Sequence, residues 1–200
     1  AREEGADFLC GFEEALGYTV GTVARDKDGV GSALVFADLA AWCRSRGVTV
    51  LDYLEEIQRR HGLYVAETHG FTFPGTEGAA IIQKVMKGFR DQPPASLGDH
   101  AISARLDYQK RERRVGNQVT QLTLPVSNVL AYELEAGGRV TLRPSGTEPK
   151  IKYYFELRET LAAGEALETA RTRARTRLKA LEAAFLTLAR ERGQPASSAS

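Results

Sequence analysis

Two cysteines, Cys10 and Cys43, are all that 200 residues contain, and they form no CxxC pair. That is too few for a disulfide framework and fits a reducing, cytoplasmic setting. The three histidines, His61, His69 and His100, stand far apart in unlike contexts. None has the spacing of metal ligands or of a catalytic triad. An excess of one charge is missing too: Lys+Arg 27 against Asp+Glu 26 leaves a formal charge of +1. This removes any global electrostatic case for nucleic acid or an anionic membrane as a partner, so an anion site has to be local. No apolar run approaches the roughly 18 residues of a membrane span, and there is no secretory hydrophobic region. The sequence opens "AREEGADFLC" without a methionine, and the expectation is a piece of a longer chain.

What is present is a folded composition, 42% hydrophobic, enough for one or two cores of ordinary size. In "GSALVFADLAAWCRSRG", Leu34, Leu39, Trp42 and Cys43 recur at helical spacing and Gly47 supplies the stop. "TVLDYLEEIQRRHG" opens with Thr49 and Asp52 in a capping-box arrangement and closes on Arg59, Arg60 and His61 before Gly62. A third helix follows the turn at Pro74 and Gly75, with Ile81, Ile82, Val85, Met86 and Phe89 as its apolar stripe. Then "RDQPPASLGDH" breaks the pattern, and residues 92–98 read as a linker between a first domain, 1–91, and a second, 99–192.

Beyond the linker the period falls toward 2. Leu130, Tyr132 and Leu134 alternate, "AGG" at 136–138 makes a hairpin turn, Val140 and Leu142 follow, and Ile151, Tyr153, Phe155 and Leu157 share one face. From Gly164 a helix runs to Gly193, with Leu167, Ala170, Ala174, Leu178, Leu181, Phe185 and Leu188 as the side that packs on the sheet. Its basic run "RTRARTRLK" spreads around the helix beside Glu165, Glu168 and Glu182, and reads as a solvated face. Residues 193–200 have nothing apolar to bury and are expected to be disordered.

Between two of these strands lies "RPSGTEPK", residues 143–150. Arg143 offers a planar fork of donors, Ser145 and Thr147 add hydroxyls, and Gly146 has no Cβ to keep a ligand from the backbone N–H groups. That set suits a phosphate, because charge-assisted bonds are about twice as strong as neutral ones. A Pro-Ser-Gly turn whose hydroxyls cap the backbone explains the same residues. The pattern is not a P-loop. "DKDG" at 26–29 lacks the third acidic ligand of a calcium loop, so no metal site is read there.

"RPSGTEPKIKYYFE" resembles the phosphate-binding loop and following strand of the C-terminal domain of the alpha-D-phosphohexomutases, the phosphoglucomutase and phosphomannomutase superfamily. "GFEEALGY" at 11–18 resembles that family's sugar-recognition loop, and "RDKDGVGSALVFADLA" the segment after it. The likeness runs from about Asp7 to about Leu157 and is most similar to the branch of phosphoglucomutase-2 and phosphopentomutase-type enzymes. It implies an α/β segment, the end of the family's third domain, followed by an α+β fourth domain resembling the TATA-binding-protein fold.

The resemblance also implies a function. Such enzymes interconvert the 1- and 6-phosphates of glucose or mannose, or the 1- and 5-phosphates of a pentose, through a bisphosphate that also serves as activator. This chain would supply the substrate-recognition half, completed by N-terminal domains of the same chain. Arg143, Ser145, Gly146 and Thr147 would anchor the non-reacting phosphate, with Lys150 and Lys152 adding to the field or, on a strand, equally reading as a solvated outward face. Glu13, with Glu14 beside it, would accept hydrogen bonds from sugar hydroxyls. Alone, the two read as an exposed acidic pair. Ala15 departs from the serine of many relatives and leaves hexose against pentose open. Lys27 matches a lysine with an electrostatic or acid/base role, or reads as a solvated loop lysine.

No T-x-S-H-N-like phosphoserine loop and no DxDxDR magnesium loop occur, so the resemblance places Mg2+ outside these residues and assigns the chain no catalytic residue of its own. The other class left open is a stand-alone phosphate or sugar-phosphate binding module.

Overall fold

The structure, a computed structural model, describes residues 5, 7–13, 16–75 and 77–193. Of the tail expected to be disordered, 193–200, Gly193 is described and residues 194–200 lie outside the described residues. The chain divides into two compact units between Ile57 and Gln58.

In the first unit a hairpin pairs β1 (Cys10–Glu13) with β2 (Gly17–Val20), antiparallel. Helix α1 (Gly29–Ser45) starts where the Asp28 carboxylate accepts the Gly31 N–H at 2.9 Å, so the acid of "DKDG" serves as an N-cap. It ends in a Schellman arrangement. The Val48 N–H reaches the Cys43 carbonyl and the Gly47 N–H that of Arg44, with Gly47 at φ +72°. Helix α2 (Val50–His61) opens with the expected reciprocal cap: the Thr49 N–H donates to Asp52 at 2.8 Å, and the Asp52 N–H donates to the Thr49 hydroxyl at 3.1 Å. The Thr49 bonds hold the Asp52 carboxyl below its ordinary range. Among the described residues Cys43 is this unit's one buried apolar side chain, while Val30, Leu34 and Trp42 of α1 are exposed.

The second unit is one antiparallel sheet covered by helices. Its strands are β3 (Leu63–Thr72), β4 (Ser96–Leu97), β5 (His100–Asp107), β6 (Glu112–Val115), β7 (Gln118–Gln121), β8 (Leu130–Leu134), β9 (Gly138–Pro144) and β10 (Lys150–Glu159). They run in the order β3-β10-β9-β8-β5-β6-β7, with β4 paired to β5. The expected division at 92–98 is corrected here. Strand β3, which the sequence pattern does not reveal, pairs with β10 along its whole length, from Leu63 opposite Glu159 to Thr72 opposite Lys150. Helix α3 (Gly78–Asp91) sinks Ile82, Val85, Met86 and Phe89 into the same core as the later strands. Residues 92–98 therefore make a turn and a short strand inside one body, because Ser96 and Leu97 pair with Ala101 and His100.

Alternation decides which face is buried. Ile151, Tyr153, Phe155 and Leu157 point with Val140, Leu142, Leu130 and Tyr132 into a core shared with α3 and α4 (Leu167–Glu191). Phe185 of α4 sits at its centre, 4.9 Å from Tyr153, 5.3 Å from Phe155 and 5.1 Å from Phe89 between ring centroids. The other face of β10 and β9 carries Lys150, Lys152, Tyr154, Arg139, Thr141 and Arg143, each exposed or half-buried.

Arginines at two places fasten the helices. Arg173 and Arg177, read from sequence as a solvated face, both bind the buried Glu159 at the end of β10, at 3.0 and 2.7 Å. Spaced four apart they share one side of α4, so the run is partly a clamp. At the other end Arg192 lies 4.5 Å over the Phe89 ring and donates to the carbonyls of Gly88 and Gln92 at the C-terminus of α3. Arg192→Ala is expected to lower the stability of this unit by about 1–3 kcal/mol, from a cation–π contact and bonds to carbonyls. Urea unfolding would show it as a lower midpoint with an unchanged slope.

Candidate phosphate-binding site

The hairpin between β9 and β10 is tight. The Ser145 N–H donates to the Lys150 carbonyl at 2.7 Å, and the Lys150 N–H to that of Glu148 at 2.7 Å. The Ser145 hydroxyl accepts the N–H groups of Thr147 and Glu148 at 3.4 and 3.3 Å. Ser145 thus closes the turn, as the structural reading of the loop requires, and still has its own proton to donate. Above Gly146 there is open space: a Cβ built there meets nothing within 4 Å.

The loop forms one wall of a groove of about 490 Å³, lined by Arg143 to Glu148 and by Lys150, Lys152 and Tyr154. The structure thus brings together all the phosphate-anchor residues expected from sequence. Lys152, read from sequence as added field or as a solvated face, lines the groove too, as does Tyr154, which the sequence reading missed. Their signal was the alternation itself: with Ile151 and Tyr153 inside, positions 150, 152 and 154 share the outer face with Arg143.

The charge arrangement is unusual for a sheet. Arg143 and Lys152 are directly opposite one another across β9 and β10, and Lys150 follows on the same face. Like charges in that position destabilise a sheet. At about 5 Å in water two such charges repel by roughly 0.8 kcal/mol. Among the described residues no ion pair offsets this. Glu148 is the one carboxylate in the lining, and no ion pair joins it to the three cations.

In the first unit Glu13 is exposed at the end of β1, and Lys27 binds it at 3.2 Å and Asp26 at 3.1 Å. The hydrogen bond to Asp26, and after it that to Glu13, holds the Lys27 ammonium above its ordinary range. A lysine kept charged in this way is no base near neutral pH. Gly17 makes room for the pair, since a Cβ there would stand 2.9 Å from Lys27 Cε and 3.0 Å from Glu13 Oε2. Glu14 and Ala15 lie outside the described residues. No group of three or more His, Cys, Asp or Glu among the described residues is placed to hold a metal ion. The magnesium implied by the resemblance therefore has no fitting site among them.

Residues 103–174, from β5 into α4 and including the loop, match the family of the phosphoglucomutase/phosphomannomutase C-terminal domain. The chain is 38% identical over 151 residues to a probable phosphomannomutase of Haemophilus influenzae, covering 75% of this chain and 28% of that protein. It is 34% identical over 153 residues to a phosphoglucomutase of Staphylococcus epidermidis, covering 76% and 28%. With human glucose 1,6-bisphosphate synthase it shares 32% over 165 residues, covering 78% and 26%. The crystal structure of the exocytosis-sensitive phosphoprotein parafusin, a phosphoglucomutase from Paramecium in open form, aligns at a TM-score of 0.52 and 19% identity. That alignment covers 92% of this chain and 31% of the other, and shows the fold alone. The chain spans little more than a quarter of the length of these curated relatives. It belongs to the phosphohexomutase superfamily.

Proposed function

We propose that this chain is the substrate-recognition part of a phosphosugar mutase and that its β9–β10 groove anchors the phosphate that is not being transferred. The observation that carries the reading is the opposed pair Arg143 and Lys152, extended by Lys150, without an acidic partner among the described residues. A phosphate dianion placed in the groove turns that mutual repulsion into attraction and takes up the free donors of Ser145 and Thr147. Phosphoryl transfer leaves the protein mainly positioning and electrostatics to supply, which is what a rigid anchor on two paired strands provides. A sheet with both helices on one face also supports the reading of this unit as the family's TATA-binding-protein-like fourth domain.

The sugar would be read elsewhere, by Glu13 with Lys27 fixing its carboxylate. The relatives' names support glucose or mannose phosphates as the substrate class. Magnesium and the N-terminal catalytic loops would come from outside the residues described here. Isothermal titration of the chain with inorganic phosphate tests the anchor. Ser145→Ala and Thr147→Val are each expected to lose on the order of 1 kcal/mol of phosphate affinity, since each removes one neutral hydroxyl. Losses equal to that of an Arg143 variant would instead mean collapse of the hairpin, which circular dichroism would reveal.

A further inference from the structure

Gly70 lies near the end of β3, directly opposite Lys152 and therefore on the same face of the sheet, beside the groove. Nothing in the backbone there calls for glycine, because Gly70 is not among the residues with positive φ. Packing does not call for it either. A Cβ at position 70 would meet only two atoms within 4 Å, Lys150 Cε at 2.8 Å and Lys150 Nζ at 3.3 Å. Glycine inside a strand weakens it, and a strand keeps one where a bulge, a ligand or another group needs the space. No bulge occurs here, as the β3–β10 register runs without a shift.

We propose that Gly70 is a positioning residue for the anion site: its missing side chain is the lane in which Lys150 lies. Lys150 starts on β10 opposite Thr72 and leans across to the place a side chain at 70 would fill. The result is a row of cations across three neighbouring strands, Arg143 on β9, Lys152 on β10 and the Lys150 ammonium over β3. With strands about 4.8 Å apart the row would present cations to a phosphate on both sides of Lys152. A side chain at 70 would expel the ammonium from that row and leave two cations in place. This inference rests on the reading of the groove as a phosphate anchor, and extends it to a residue far from Arg143 in sequence.

The test is a double-mutant cycle on the 200-residue chain, with inorganic phosphate as the titrant and thermal melting alongside. Gly70→Thr is expected to weaken phosphate binding about five- to tenfold, part of the loss of one charge-assisted contact, while the melting temperature stays level or rises because threonine suits a strand better. In a Lys150→Ala background the same substitution is expected to change affinity less than about twofold, as the side chain it displaces is gone. Gly70→Ala, measured in parallel in case threonine prevents folding, is expected to lose about two- to threefold, because its methyl alone overlaps Lys150 Cε. Unchanged affinity in the folded Gly70 variants, or equal losses with and without Lys150, overturns the proposal. Loss of binding in Arg143→Ala with none at Gly70 overturns the glycine's role alone, and a wild-type chain that binds no phosphate overturns both readings.

Discussion

Arg143→Ala is expected to weaken inorganic phosphate binding by about 10- to 150-fold, equivalent to roughly 1.5–3 kcal/mol, the range for hydrogen bonds to charged groups. The side chain is exposed and, among the described residues, has no protein partner, so its removal leaves the hairpin bonds of Ser145 and Lys150 in place. Stability should hold or rise slightly, since one of two opposed cations is taken away. Loss of affinity without loss of stability is the signature of a binding residue. Arg143→Lys separates two explanations: a lysine restores the charge but not the planar fork, so intermediate affinity identifies a geometric anchor and full recovery a general positive field. Titration calorimetry at fixed ionic strength measures both. Wild-type affinity in the alanine variant would return "RPSGTEPK" to the status of a turn.

The parts of this fold that sequence reveals are those whose buried face is uniformly apolar. Strands β8, β9 and β10 and helix α4 place Leu130, Tyr132, Val140, Leu142, Ile151, Tyr153, Phe155, Leu181 and Phe185 inside, and each alternation or helical stripe is visible in the residues. Strand β3 is not visible for the opposite reason. Its register with Phe155 and Tyr153 puts Glu67 and His69 on the side facing the helices. His69 is accommodated there because Glu182 of α4 stands 3.1 Å away, a partner 113 residues on that no local pattern shows. Glycine at 70 removes a further β signal, and with β3 unseen the prolines at 93 and 94 look like a domain boundary.

The same distinction applies to the arginines and the site. Arg173 and Arg177 look solvated until Glu159 is placed between them. Capping residues fare better, since Thr49 with Asp52 and Gly47 act within a few residues of chain. In the candidate site the loop was legible from its own composition. The charged face of β10 was legible only in principle, because alternation tells which residues share a face and not whether that face meets water or a ligand.

The chain alone is expected to give no mutase turnover with glucose 1-phosphate or ribose 1-phosphate, even with magnesium and a hexose bisphosphate supplied, while binding phosphate normally. Its described residues offer the proposed anchor groove and an exposed carboxylate held by Lys27, and neither can donate a phosphoryl group. Transfer through a bisphosphate needs a nucleophile that carries the group between the two ends of the sugar, and a cation to offset charge on the moving phosphoryl. The sequence contains neither a T-x-S-H-N-like nor a DxDxDR segment, and no cluster among the described residues is placed to hold the metal. Positioning by itself accelerates a reaction only when a reacting group stands where the substrate is held, so tight binding here should yield rates at the uncatalysed level. An assay coupling product to a dehydrogenase would measure turnover, with titration on the same sample measuring binding. Turnover that disappears in Arg143→Ala would overturn the assignment of this chain to recognition alone, because an anchor without a phosphoryl carrier has no turnover to lose.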